Sequence, residues 1–272
     1  MSQKTIKGTV KLGESIKSRR QELGLTIEEA ATKAGVGTKS WCRYEAGESI
    51  RGDKAKGICK VLNWHAFPGE DDSDDLEFNI DEYRNHAAWS TYLCEQFGEV
   101  AAISFVIGSD ILLDHIEEDL NGLASMPKGS HIGQLPISMI KDDLPKQFLM
   151  RYDYDFLYQL KTTVTHLRQI AANGKVFFAH SVLEELAIYL FMEESSFLMD
   201  CMSVEMEAAG IDLDTRGDWA FDLFDDTDIL IFLFSDFYLT EGATYHFDNW
   251  SKRQFFIEKY IWRTLLLWKK TY

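Results

Sequence analysis

Apolar residues recur three, four or seven positions apart along most of this chain, a spacing that predicts helices and leaves one short run open. Near the start, Ile16 and Leu23 fall seven residues apart on one face of a first helix, which Gly24 ends. Thr26 stands three residues ahead of Glu29, the capping-box arrangement that opens a second helix. Gly35 can take the left-handed conformation at that helix's end, and Val36 plugs a turn of three or four residues. A third helix follows from Thr38, with Trp41 and Tyr44 facing inward and Thr38, Lys39, Ser40 and Arg43 facing out.

Beyond residue 75 the same periodicity predicts long helices over 83–97, 100–123, 152–172 and 177–208. Trp89, Leu93 and Phe97 illustrate the spacing, as do Leu157, Leu160, Val164 and Leu167. The apolar run 229–234 is either a buried helix or a core strand, and is far short of the roughly 20 residues that span a bilayer. The closing stretch 254–270 is too apolar for an exposed helix and is expected to be buried or at a subunit interface. No period of 33 to 47 residues repeats, which favours a single bundle over a helical solenoid.

Residues 12–64 resemble the Cro/C1-type helix-turn-helix, the XRE family of λ-repressor-like domains. The match is densest at Leu23-Gly24-Leu25-Thr26, Ala31, Gly35-Val36 and Arg43-Tyr44-Glu45-Ala46-Gly47, with fifth-helix apolar positions at Ala55, Ile58, Val61 and Leu62. The resemblance implies a five-helix domain whose third helix enters the major groove. It carries base contacts over to Thr38, Lys39 and Arg43, with Ser40 as a weaker candidate, and phosphate contacts to Thr26, Ser49 and Arg51. Three positions depart from the family pattern. Ile27 stands where the family usually has a glutamine that bonds a phosphate or supports the recognition helix, Gly37 replaces a serine cap, and Ala30 with Trp41 inverts the family's usual sizes, which implies that Trp41 packs over Ala30. The Gly35-Val36-Gly37-Thr38-Lys39-Ser40 run is no P-loop, because one residue instead of four separates its glycines and a capped helix precedes it.

Charge divides the chain. Residues 1–64 carry 13 Lys and Arg against 7 Asp and Glu, a net of +6, while the remaining 208 carry 15 against 37, a net of −22. Lys39, Arg43, Arg51, Lys54 and Lys56 are expected to displace counterions from a duplex. The acidic remainder would be repelled from phosphates over a Debye length of about 10 Å, so only the basic unit is expected to touch DNA. The basic tail Ser2 to Lys7 reads as a frayed terminus ahead of an arm that reaches the duplex. The boundary falls at Phe67-Pro68-Gly69 and the acidic run that follows to Asp75. The expectation is an all-α chain: a DNA-binding domain over 1–66, an acidic linker over 67–75 that leaves it some freedom, and a helical domain over 76–272. That last region is long enough to bury roughly 70% of its unfolded surface.

Chemistry motifs are sparse. The chain has no G-x-S-x-G, no H-E-x-x-H and no paired C-x-x-C, and Cys42, Cys59, Cys94 and Cys201 lack zinc or disulfide spacing. With no signal peptide, they read as reduced thiols of a cytoplasmic protein. The Asp212 to Asp218 stretch begins like an EF-hand loop, but Arg216 and Leu223 occupy ligand positions five and twelve. Carboxylates at Asp222, Asp225, Asp226 and Asp228, and at Glu184, Glu185, Glu193 and Glu194, read as solvated faces. No histidine follows a glutamate by three residues, as a di-iron site would want. His166 and His180 read as ordinary core or surface groups, and Glu82 with His86 and His180 with Glu184 as helix pairs.

The chain therefore reads as a sequence-specific transcriptional regulator, not an enzyme. It would bind double-stranded DNA as a homodimer, with no metal, no cofactor and no membrane. The second domain would supply dimerisation and a site for a small-molecule, peptide or protein effector. A small-molecule effector predicts a large apolar pocket in the bundle, lined by some of the five tryptophans beyond the linker. The alternative is a protein-interaction module, antitoxin-like or phage-regulatory, whose −22 charge mimics DNA and whose small domain regulates its own promoter. An enzyme fused to a DNA-binding head ranks last, since no catalytic residue can be named for it.

Overall fold

The computed structural model describes residues 5–64, 67, 78–176, 178–214, 219–224, 234 and 246–252. Helix α1 (Val10–Glu22) starts where the Thr9 hydroxyl accepts the Leu12 N–H at 3.0 Å, and it ends ahead of Gly24, whose φ is 67°. Helix α2 (Ile27–Lys33) opens on the expected capping box, with Thr26 Oγ1 accepting from Glu29 N–H at 3.1 Å and Glu29 Oε2 accepting from Thr26 N–H at 2.8 Å. After a turn, α3 (Thr38–Glu45) presents Trp41 and Tyr44 inward, and α4 (Gly52–Leu62) completes this basic head. Ala30 and Trp41 are both fully buried in one cluster, as their complementary volumes require.

Two features of the head differ from expectation. Among the described residues it has four helices, and Ala55, Ile58, Val61 and Leu62, expected on a fifth, lie on α4. The tail is not frayed from Thr5 onward. β1 (Thr5–Ile6) pairs antiparallel with β2 (Ile50–Arg51), Ile6 opposite Ile50, because burying those two side chains offsets the entropy of ordering the terminus.

The described part of the acidic body is mostly helical. Helix α5 (Ile80–Arg84) is capped by Asn79 and α6 (Thr91–Phe97) by Ser90, so the segment 83–97 is two short helices instead of one. Serine opened a new helix at 91 because its hydroxyl satisfies the Leu93 N–H at 3.1 Å. Helix α7 (Glu99–Ala124) runs through the centre, with α8 (Tyr154–Ala172) and α9 (Val182–Cys201) packed against it. Every residue from Val100 to Ser109 is buried, so this part of α7 is enclosed on all sides, with Ser104 and Ser109 its polar side chains. The region 177–208 also divides, with Ser181 capping α9 and a break at Met202 before α10 (Ser203–Ala208). A last described helix, α11 (Trp219–Phe224), lies against α9, where Trp219 Nε1 donates to Ser104 Oγ at 3.0 Å and Ser104 Oγ meets Ser195 Oγ at 2.7 Å. That buried polar link ties α7, α9 and α11 together with its hydroxyls satisfied.

The runs 229–234 and 254–270 lie outside the described residues, apart from Phe234, as does the acidic linker apart from Phe67. No described helix is long and apolar enough to cross a membrane. Between α7 and α8 comes a connection, 125–153, that holds three of the four prolines and two short 3-10 turns. It nonetheless buries Ile132, Leu135, Ile140 and Leu144.

The head is docked on the body rather than free on its tether. Phe67 is 3% exposed and meets Phe197 of α9 edge-on at 6.4 Å. Lys54 of α4 reaches Glu118 at 2.5 Å, Lys56 reaches Asp143 at 3.2 Å and Lys60 reaches Asp142 at 3.1 Å. Opposite net charges on the two units, and apolar contacts beneath them, favour this closed arrangement over the extended one.

Candidate nucleic-acid interface

The α2–turn–α3 unit owes its geometry to one glycine and one buried ion pair. Gly35 takes φ 68°, which an L side chain adopts only with strain, and a Cβ there would lie 2.3 Å from Met139 Sδ of the body. At the far end of α3, Glu45 accepts from three directions. Arg20 of α1 donates to it through Nε and, at 3.1 Å, through Nη2, and Trp41 Nε1 donates at 2.7 Å. Arg20 also donates through Nη1 to the Leu25 carbonyl at 2.8 Å, so its fork is satisfied in a site where it is 7% exposed. The carboxylate of Glu45 holds the Arg20 pKa above its usual value. The network fixes the roll of α3 about its own axis.

That roll turns Thr38, Lys39 and Arg43 outward, all three exposed. Among the described residues Lys39 pairs with no carboxylate, whereas Arg43 donates to Glu48 at 2.7 Å. Ser40 is half-buried on the flank of α3, where it lines a cleft of about 360 Å³ with Tyr44 and Arg51 on one wall and Glu118 and Asp119 on the other. The phosphate-contact candidates are less free. Thr26 and Ser49 are exposed, but the Thr26 hydroxyl serves the capping box and Ser49 Oγ accepts from Gly8 N–H at 3.3 Å. Arg51 is gripped by both oxygens of Asp53 at 2.9 Å and lies 3.8 Å from Asp114 of α7.

Lys54 and Lys56, expected to neutralise phosphates, face the body instead. Lys54 is 6% exposed. The physical reason is proximity, since α4 lies on α7 and α9 and the carboxylates there are fixed while a duplex must be recruited.

Beneath α4 sits a buried titratable cluster that the sequence reading missed. His115 of α7 donates from Nε2 to the Asp53 carbonyl at 3.1 Å, and its Nδ1 lies 3.4 Å from Glu194 of α9. Burial works against charge on that ring, but Glu194 outweighs it and raises the pKa of His115. Burial pushes Glu194 upward in turn, and His115, then Lys56 and Lys54, hold it below the usual carboxylate range. Glu185 and Glu194 are 0% and 3% exposed, which corrects their reading as part of a solvated face. The anticipated helix pairs differ too. His86 pairs with Asp110 at 3.2 Å instead of Glu82, and Glu184 accepts from the His180 backbone N–H ahead of α9.

Asp119 lies in the same junction, 3% exposed, accepting from Ser138 Oγ at 2.7 Å. Burial pushes its carboxyl pKa up to about 6 from 3.8, against the hydrogen bond from Ser138. A folded pKa above the unfolded one means the folded form binds the proton more tightly. The stability this group contributes is therefore full below about pH 4 and is lost as pH rises through 6, a swing of about 3 kcal/mol. Asp119→Asn is expected to remove that swing and to raise stability at pH 8 by about 1–3 kcal/mol. Urea unfolding of the two chains at pH 4.5 and pH 8 checks it, and a destabilised variant at pH 8 would refute it.

Among the described residues no group of three or more His, Cys, Asp or Glu is placed to hold a metal. Of the five tryptophans beyond the linker, some of which were expected to line an effector pocket, Trp219 and Trp250 are 1% and 2% exposed and packed among core side chains. Neither family models, nor curated proteins, nor solved structures give a match to this chain.

Proposed function

We propose that the chain is a sequence-specific DNA-binding regulator of transcription in which α3 enters the major groove and two copies bind as a homodimer. The observation that carries this reading is the exposed row Thr38, Lys39 and Arg43 on a short helix whose orientation is locked by Arg20 and Glu45. A helix held in one roll can present the same three side chains to successive base edges, which a loosely packed one cannot. The net charge of +6 on residues 1–64 supports it, as does the resemblance of their sequence to Cro/C1-type domains. One module makes few base contacts, so a dimer reading two half-sites about 34 Å apart is the economical way to reach useful affinity.

Arg43 leaves Glu48 and Arg51 loosens from Asp53 and Asp114 when phosphates and bases replace those carboxylates. Binding is then an exchange of ion pairs and falls steeply with salt. Selection of bound duplexes from a random library with the full chain tests the reading. A two-fold symmetric motif is expected, with Lys39→Ala and Arg43→Ala each weakening binding roughly tenfold and relaxing preference at the base they contact. Sequence-blind binding, unchanged by either substitution, would sink it and favour the interaction-module alternative.

A further inference from the structure

The head and the loop over 136–142 do not close completely, and between them lies a cleft of about 610 Å³. Leu23, Leu25 and Val61 form its head wall, side chains only partly covered by the head core. Ile137, Met139 and the ring of Pro136 form the wall from the body. Three ammonium groups stand at its edge, on Lys33, Lys60 and Lys141. Lys60 is held by Asp142 at 3.1 Å. Among the described residues, Lys33 and Lys141 make no close salt bridge, although Glu29 lies within electrostatic reach of Lys33. The chain has 44 acidic residues for 28 basic ones, so three lining lysines facing the one lining carboxylate, Asp142, run against its composition.

Apolar side chains on both walls, with Thr32, Asn63 and Ser138 among them and an excess of positive charge, complement one kind of guest. We infer that this cleft binds a small amphipathic carboxylate, its apolar chain or ring lying between Leu25 and Met139 and its charge between Lys33 and Lys141. The volume is in the range of small-molecule sites. The cations are single-point lysines and not arginine forks, which suits a compact monoanion better than a bidentate phosphate group. Each wall belongs to a different unit, so the guest bridges head and body. Gly35 of the α2–α3 turn lines the same cleft, so occupancy acts on the position of α3. That last consequence rests on the DNA-binding reading; the binding itself does not.

Calorimetric titration of decanoate into the full chain tests the site. Saturable one-to-one binding is expected, with decanol at least about tenfold weaker because it lacks the charge. Lys33→Gln combined with Lys141→Gln is expected to weaken decanoate about tenfold, and Met139→Trp to abolish binding by filling the cleft, while Lys175→Gln, outside it, changes nothing. If Met139→Trp fails to fold, the lysine variant decides alone. Equal affinity for decanol and decanoate, indifference to the two lysines, or no saturable binding would each overturn the inference. A second arm measures affinity for the selected duplex with and without decanoate. A change of about threefold or more supports coupling, and an unchanged affinity overturns the coupling alone. A chain that binds no duplex at all overturns the DNA reading, while calorimetry still decides the site.

Discussion

A Gly108→Val chain is expected to lose about 3–5 kcal/mol of stability, lowering its melting temperature by about 10 °C or more. Gly108 lies on α7 against the backbone of Phe191 on α9. A Cβ there would sit 1.8 Å from the Phe191 carbonyl oxygen and 2.5 Å from its carbon. Both atoms are backbone, so no rotamer relieves the overlap, and the two helices must part along the centre of the body. Parting them uncovers Phe105 and Phe191, whose rings meet edge to face at 5.1 Å. Gly122 of the same helix makes the contrast. A Cβ there would meet the end of the Leu135 side chain at 2.8 Å, which can swing aside. Gly122→Ala is therefore expected to stay within about 1 kcal/mol of the parent, the gain in helix propensity offsetting the rearrangement. Thermal unfolding of both variants checks the pair, and equal effects would show that the close approach at Phe191 is not what requires Gly108.

Glu45→Ala should cost about 3 kcal/mol and abolish the sequence-specific DNA binding proposed for α3. Removing the carboxylate leaves the Arg20 guanidinium buried with only the Leu25 carbonyl, and leaves the Trp41 indole N–H without its acceptor. An unpaired buried charge is far costlier than the intact pair is stabilising. Glu45→Gln keeps two of the hydrogen bonds and loses the charge, so about half the effect is expected. Denaturant titration of the three chains, with duplex binding measured at a temperature where each is folded, separates lost stability from lost orientation. A folded Glu45→Ala chain that keeps the parent's sequence preference would show that the network does not set the roll of α3.

The salt-bridge partner of Arg20 illustrates what a sequence withholds. Capping at Thr26 and Glu29, the left-handed Gly35 and the inward Trp41 and Tyr44 were all legible, because each depends on neighbours within one or two helical turns. Arg20 and Glu45 are 25 residues apart, and only the packing of α1 on α3 brings them together. The same holds for His115 and Glu194, which lie on α7 and α9; the carboxylates Glu184, Glu185 and Glu193 nearby in sequence made Glu194 look like part of an exposed row. The division of 83–97 was within reach, since Ser90 precedes the apolar Leu93 in the pattern of a helix cap. The periodicity of Trp89, Leu93 and Phe97 masked it.

For the candidate interface, the sequence determined which residues α3 carries and which of them face outward. It also settled the helical nature of the body, through a period that depends only on the geometry of one helix. Whether a cation is free for a phosphate is a different matter. Arg51, Lys54 and Lys56 are basic in any reading, but docking set Asp114, Glu118 and Asp143 beside them, and Lys39 was left exposed. The docking itself, the cleft beside it and the raised pKa of Asp119 arise from elements far apart in the chain. Long-range pairing and burial decide such properties, and both come into existence only when the chain has closed upon itself.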